Sequence, residues 1–176
     1  MDASQYSVRE ILPGGDRIHV RAIRPDDKQA LVDMFGRLSP ETIYHRFLGA
    51  KKRLTRDELV YLTELDFHRR AALVAVLVRE GDERIVGVGR YASADDSPAD
   101  RAEVAITVED AEQRRGIGSV LLEHLRAVAQ SEGINLFDVY LVSDNLAPIA
   151  LFEGSGHIVR RSAEAGTCHL VISTQS

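Results

Sequence analysis

At 176 residues, 44% apolar and 28% charged, the chain has the length and composition of one folded domain, which excludes a disordered polymer. A net charge of −5 excludes a general nucleic-acid coat, so any bound anion needs a local site. No apolar run approaches the roughly 20 residues of a membrane helix.

The N-terminal residues MDASQYSVRE show no basic-then-apolar leader pattern, and about eight of them read as a polar tail. Cys168 is the only cysteine, which rules out an intrachain disulfide and suits a cytoplasmic protein. Residues 17–23 (RIHVRAI) alternate and predict a strand. Pro25-Asp26-Asp27 then opens a helix, because proline and acidic residues suit a first turn. Ala30, Leu31, Met34, Phe35 and Leu38 continue it at helical spacing. Ser39-Pro40-Glu41 starts a second helix, with Ile43, Tyr44, Phe47 and Leu48 as its apolar face. Thr55 and Glu58 stand three apart, as in a capping box, before a short helix through Leu62.

Residues 71–78 (AALVAVLV) are almost wholly apolar and predict a central strand. A turn at 80–83 leads to a strand at 84–91 (RIVGVGRY), and a polar turn at 94–100 leads to a third at 102–108 (AEVAITV). A helix follows from about Gly118 to Gln130, ended by Gly133. A strand at 136–142, a short helix at 147–153 and closing strands at 156–160 and 167–172 complete the chain. The order predicts a single domain, mixed α/β (α+β) in three layers. Its central sheet is mixed, mostly antiparallel, with about seven strands flanked by helices.

The informative stretch is EDAEQRRGIGSVLLEHL, residues 109–125. Val120, Leu121, Leu125, Val128 and Ala129 make one apolar helix face. A helix N-terminus carries unpaired amides and partial positive charge. Gly116 and Gly118 let a ligand approach backbone there, and Arg114 and Arg115 add charge. Together they form an anion cradle, most simply for phosphate. A P-loop would need Gly-Lys-Ser/Thr, which is absent, and the third glycine of a dinucleotide fingerprint is replaced by Leu121. Taken alone, the stretch could equally be a plain turn with solvated arginines.

Residues 113–118 read Q-x-x-G-x-G, which resembles the pyrophosphate loop of the GNAT superfamily of acyl-CoA-dependent N-acetyltransferases. Residues 145–157 (NLAPIALFEGSGH) resemble that superfamily's late motif, N-x-x-A-x-x-L-Y-x-x-x-G-F. Residues 18–27 (IHVRAIRPDD), 37–42 (RLSPET) and 46–48 (RFL) are similar to the start of the acetyltransferase domain in bacterial protein-lysine acetyltransferases of the Pat type. In element order the resemblance covers nearly the whole chain.

The resemblance implies acetyl-CoA as co-substrate and no metal. The implied acceptor is a protein lysine, acyl-CoA synthetases being possible partners, or else a small amine or amino acid. It implies a bulged strand splayed from its neighbour, with Ile106, Thr107 and Val108 pairing the pantetheine arm and an oxyanion-binding N–H near Val108. Pyrophosphate would lie on Gln113, Arg114, Arg115, Gly116, Ile117, Gly118 and Ser119. Asn145 would contact the cofactor, its alternative role being a helix cap.

Glu103, ten residues before Gln113, matches the catalytic glutamate. A carboxylate on a mostly apolar strand is expected to have a raised pKa, which suits a general base. The alternative is a surface glutamate on an alternating strand, sharing a face with Ala105, Thr107 and Glu109. Glu109 is the second choice, with a solvated or loop-bracing role the simpler reading. Phe152 departs from the usual tyrosine; it can pack on the cofactor but cannot protonate a leaving thiolate. That departure leaves open a non-catalytic domain that senses acyl-CoA.

The six histidines show no metal-ligand spacing. His68 could approach an acceptor pocket, Cys168 reads as a buried core thiol, and Lys51-Lys52-Arg53 reads as a solvated loop that could rim the acceptor cleft. No nucleic-acid or membrane partner is expected, and a homodimer through the terminal strands is possible.

Overall fold

Strand β3 (Arg70–Arg79) organises the molecule because both of its faces are buried. Ala71, Leu73, Ala75 and Leu77 join one core, and Ala72, Val74 and Val76 join another on the opposite face. Its continuous apolar run satisfies both cores at once, as a central strand must.

The computed structural model describes residues 2–47 and 49–175. In chain order it contains β1 (Ser7–Ile11), β2 (Arg17–Ala22), α1 (Lys28–Arg37), α2 (Pro40–Phe47), α3 (Arg56–Thr63), β3, β4 (Asp82–Ala92), β5 (Arg101–Val108), α4 (Ile117–Ser131), β6 (Leu136–Val142), α5 (Leu146–Gly154), β7 (Ile158–Glu164) and β8 (Thr167–Ser173). One eight-stranded sheet runs β1-β2-β3-β4-β5-β6-β8-β7. Only the β5–β6 pair is parallel, and α4 supplies its crossover. The three-layer mixed, mostly antiparallel sheet is as expected. The eighth strand is β1, inside and just beyond the stretch expected as a polar tail. Its alternation is weak because it is an edge strand with no fully buried residue.

α4 lies directly on β4. A Cβ at Gly87 would sit 3.0 Å from Leu121 and 3.2 Å from Ile117, so this glycine permits the close approach. α1 and α3 cover the opposite face through Leu31, Met34, Leu59 and Leu62. The capping box of α3 forms as its spacing predicts: the Glu58 N–H donates to Thr55 Oγ1 at 3.2 Å and the Thr55 N–H to Glu58 Oε2 at 2.7 Å. α2 is different, for none of its described residues is fully buried and Tyr44, expected on the apolar face, is exposed. Leu48, expected beside it, lies outside the described residues. Among the described residues no helix is long and apolar enough to cross a membrane.

Candidate functional site

Two strands part in the middle of the sheet. β5 pairs with β6 only at Arg101↔Leu136, Ala102↔Phe137 and Glu103↔Asp138. Arg101 fastens this closed end by donating to Asp138 at 2.5 and 3.0 Å, and His169 lies 2.7 Å from the same carboxylate. Beyond Glu103, β5 stays paired with β4 as far as Val108, and β6 stays paired with β8 as far as Val142. The β5 edge from 104 to 108 therefore faces a wedge with no strand in it, and it includes Ile106, Thr107 and Val108. The expected splay is present. The expected bulge is not in β5, whose register with β4 is continuous. It lies in β4, where Ala75 pairs with Gly87 and Val76 with Ile85, which leaves Val86 as the extra residue.

The wedge opens onto the N-terminus of α4. Arg114 (φ 58°) and Gly116 (φ 93°) are left-handed, and the turn they make delivers the chain into the helix. Among the described residues, no protein acceptor meets the amides of residues 114–119, and Gly116 provides no side-chain cap. These are the donors that an anion would use. The Gln113 side chain turns back and donates to the Val108 carbonyl at 3.0 Å, tying the loop to the strand. Arg114 is exposed and unpaired among the described residues, whereas Arg115 pairs with Glu112 and Asp16. The two arginines thus divide their work, one offering charge and the other bracing.

The bracing network has buried carboxylates and half-exposed arginines. Glu112 also accepts from Arg79 and Arg84, and Glu109 accepts from Arg37 Nε at 2.9 Å. Glu109 and Glu112 are each 3% exposed, so Glu109 braces the loop and is not solvated. Gly118 faces α5: a Cβ there would lie 3.1 Å from Leu151. Asn145 occupies the N-cap of α5 but makes no capping bond, and its amide side chain has no partner among the described residues. Phe152 is 1% exposed, inside the main core.

On the other face of β5 lies a cavity of about 330 Å³, lined by Glu103, Val104 and Ala105 of β5, by Arg46 and Phe47 of α2, by Leu54, by Glu58, Tyr61 and Leu62 of α3, by Leu65, and by Arg70, Ala71, Arg90, Tyr91 and Ala92. A smaller hollow of about 60 Å³ shares Arg46, Phe47 and Arg90 and reaches Thr107. Glu103 is therefore beside a pocket, next to the closed end of the wedge. It is exposed and does not have the burial expected of an apolar strand.

The arginines are the residues that sequence reasoning missed. Burial, with the charge of Arg46, pushes the Arg90 guanidinium down to about 10. Burial also lowers Arg46, against the opposing charge of Glu103. Arg90 donates to the Leu62 carbonyl at 2.9 Å, and neither arginine has a carboxylate partner among the described residues. An arginine at an inward position of RIVGVGRY was the available signal for Arg90.

α2 is tied to the cradle by Asp110, which accepts from the Ser39 N–H (2.8 Å) and from the Ser39 and Thr42 hydroxyls (2.7 Å each). Burial pushes the Asp110 carboxyl up, but these donors outweigh it and hold it below its usual range. His68 is not in the pocket. It is exposed, and its Nδ1 lies 2.5 Å from Glu132, whose hydrogen bond and charge raise its pKa. Lys51 meets Glu58 at the cavity rim at 2.5 Å and holds that carboxylate down to about 2. Cys168 is a buried core thiol.

A model of the Acetyltransferase (GNAT) family matches residues 40–156. The chain is similar to Acetyltransferase PA5475 of Pseudomonas aeruginosa, 34% identical over 124 residues, covering 70% of this chain and 66% of that protein. It is similar also to Acetyltransferase Pat of Mycolicibacterium smegmatis, 32% identical over 148 residues, covering 82% of this chain and 42% of that protein. It thus spans just under two thirds of one relative and under half of the other. Among solved structures it is similar to the GNAT domain of S. lividans PAT, with a TM-score of 0.86 and 34% identity over 95% of this chain and 96% of that one.

Proposed function

The chain belongs to the GNAT acetyltransferase family, and from that premise we propose that it moves an acetyl group from acetyl-CoA to a protein lysine, with Glu103 as general base. The observation that carries this reading is the wedge, where a free β5 edge leads to unpartnered amides at residues 114–119. The edge suits the amide-bearing pantetheine arm, and the amides suit the pyrophosphate. Asn145, in the turn between β6 and α5, is proposed to contact the cofactor with its unpartnered amide. Acyl-CoA synthetases are proposed acceptor proteins because of the similarity to Pat, and a homodimer through the exposed edge strand β7 is part of the same proposal.

In the reaction, Glu103 takes a proton from the acceptor ammonium directly or through water, and the neutral amine attacks the thioester carbonyl. A backbone N–H at the open edge near Val108 receives the oxyanion. The C–N bond forms, the nitrogen releases its second proton to water, the C–S bond breaks, and the thiolate takes its proton from solvent. Phe152 has none to give. A non-catalytic acyl-CoA sensor is the second reading, favoured by Phe152, and turnover on any amine overturns it.

Calorimetric titration with acetyl-CoA, with ADP and NAD as controls, tests the cofactor class. Binding of acetyl-CoA alone is expected. Gly118→Glu should abolish it by crowding Leu151 and placing negative charge in the cradle. Ser119→Glu, at an exposed position, should weaken it through charge without crowding. Equal binding of ADP or NAD, or undiminished binding by both variants, would overturn the reading.

A further inference from the structure

Resting on the acetyltransferase reading, we propose that the cavity beside Glu103 selects acceptors that carry a carboxylate next to the reacting amine, held by Arg46 and Arg90. The lining contains five charged side chains. Glu58 is committed to Lys51 at 2.5 Å, and Arg70 is paired with Asp66 at 3.6 Å. Two guanidiniums, Arg46 and Arg90, remain without ion partners among the described residues, and they face the single carboxylate of Glu103. Arg90 spends one N–H on the Leu62 carbonyl, and Arg46 lies 5.1 Å from the ring of Phe47. Both are half-buried, so their charge is less screened than at an open surface.

A bare ammonium entering this pocket meets more positive charge than negative. An acceptor that brings its own carboxylate reverses the balance, because guanidinium binds carboxylate through paired N–H donors. Its amine is then left toward Glu103, on the β5 side of the same cavity. The nearby cations also favour the neutral, nucleophilic form of that amine. The carboxylate can belong to a free amino acid or to an acidic residue flanking a protein lysine, and the chemistry is the same.

The test compares kcat/KM at saturating acetyl-CoA for peptides whose lysine is flanked by glutamate, alanine or arginine, and for free lysine against lysinamide. The carboxylate-bearing member of each set should be preferred at least tenfold. The arm with the larger preference identifies the source. Arg46→Gln should collapse the preference and Arg46→Lys should retain part of it. Independently of turnover, titration with glutarate should move the Hε signals of Arg46 and Arg90 in ¹⁵N–¹H spectra, and putrescine should not. Equal use of charged and neutral acceptors, preference surviving Arg46→Gln, or unmoved arginine signals would overturn the proposal. Glutarate binding without any acetyl transfer would instead overturn the enzymatic reading and leave the anion site standing.

Discussion

Glu103 sits where β5 and β6 separate, with an arginine-rich pocket on its side of the sheet. That position separates its role from that of the cradle. Glu103→Gln removes proton acceptance but leaves the wedge and the amides of residues 114–119 intact. The variant should keep its acetyl-CoA affinity and lose about 10²- to 10⁴-fold in turnover near neutral pH, the range general-base catalysis supplies. Steady-state kinetics beside calorimetry check this, and unchanged turnover would remove Glu103 as the base. At this scale the sequence was readable where a residue belongs to a local motif. Glu103, Gly116 and Gly118 could be named because their neighbours announce them. Arg46 and Arg90 could not be paired in advance, since they come from α2 and β4 and meet only across a cavity. The partner of Arg115, Asp16, lies 99 residues away.

At the scale of elements, α2 is the instructive case. Its opening was legible, because Ser39 accepts the Thr42 N–H at 3.1 Å as a capping serine should. What holds it was not legible, for no described residue of α2 is fully buried and its start hangs on Asp110, about 70 residues on. Packing adds the edge-on contact of Phe47 with Phe35, 6.0 Å between centroids. Asp110→Ala should therefore cost about 1–2 kcal/mol at neutral pH, discounted for partial exposure of the carboxylate. The pH dependence has a definite sign. Asp110 is held below its usual range in the folded protein, so its contribution is present above the unfolded pKa of about 3.9 and fades as pH falls through the folded value. Urea unfolding curves of wild type and variant should differ at pH 7 and converge below about pH 4. A constant difference across that window would mean that the clamp does not depend on the carboxylate's charge.

For the whole molecule, the layers were readable from the residues themselves, and the wedge only through the family resemblance. The meander β3-β4-β5 follows from three apolar runs separated by polar turns, and the α4 crossover makes the parallel β5–β6 pair possible. Nothing in the composition of β5 or β6 forbids them from pairing to their ends. They part after three paired positions beside the Arg101–Asp138 ion pair, while β5 stays paired with β4 through Val108 and β6 with β8 through Val142. The β5 edge along residues 104–108 has no strand partner on the wedge side, and the proposed cofactor is what would complete it. Acetyl-CoA at 100 times its Kd should stabilise the fold by about 2.7 kcal/mol. For a domain of this size that raises Tm by about 5–10 °C. The location of the gain matters more than its size. Hydrogen exchange should slow at residues 106–108 and 116–119, on both arms of the wedge, and stay unchanged in β3, which is already buried on both faces. Protection confined to 116–119 would show a phosphate site alone, with the pantetheine arm elsewhere. Protection in neither place would separate acetyl-CoA binding from the wedge altogether.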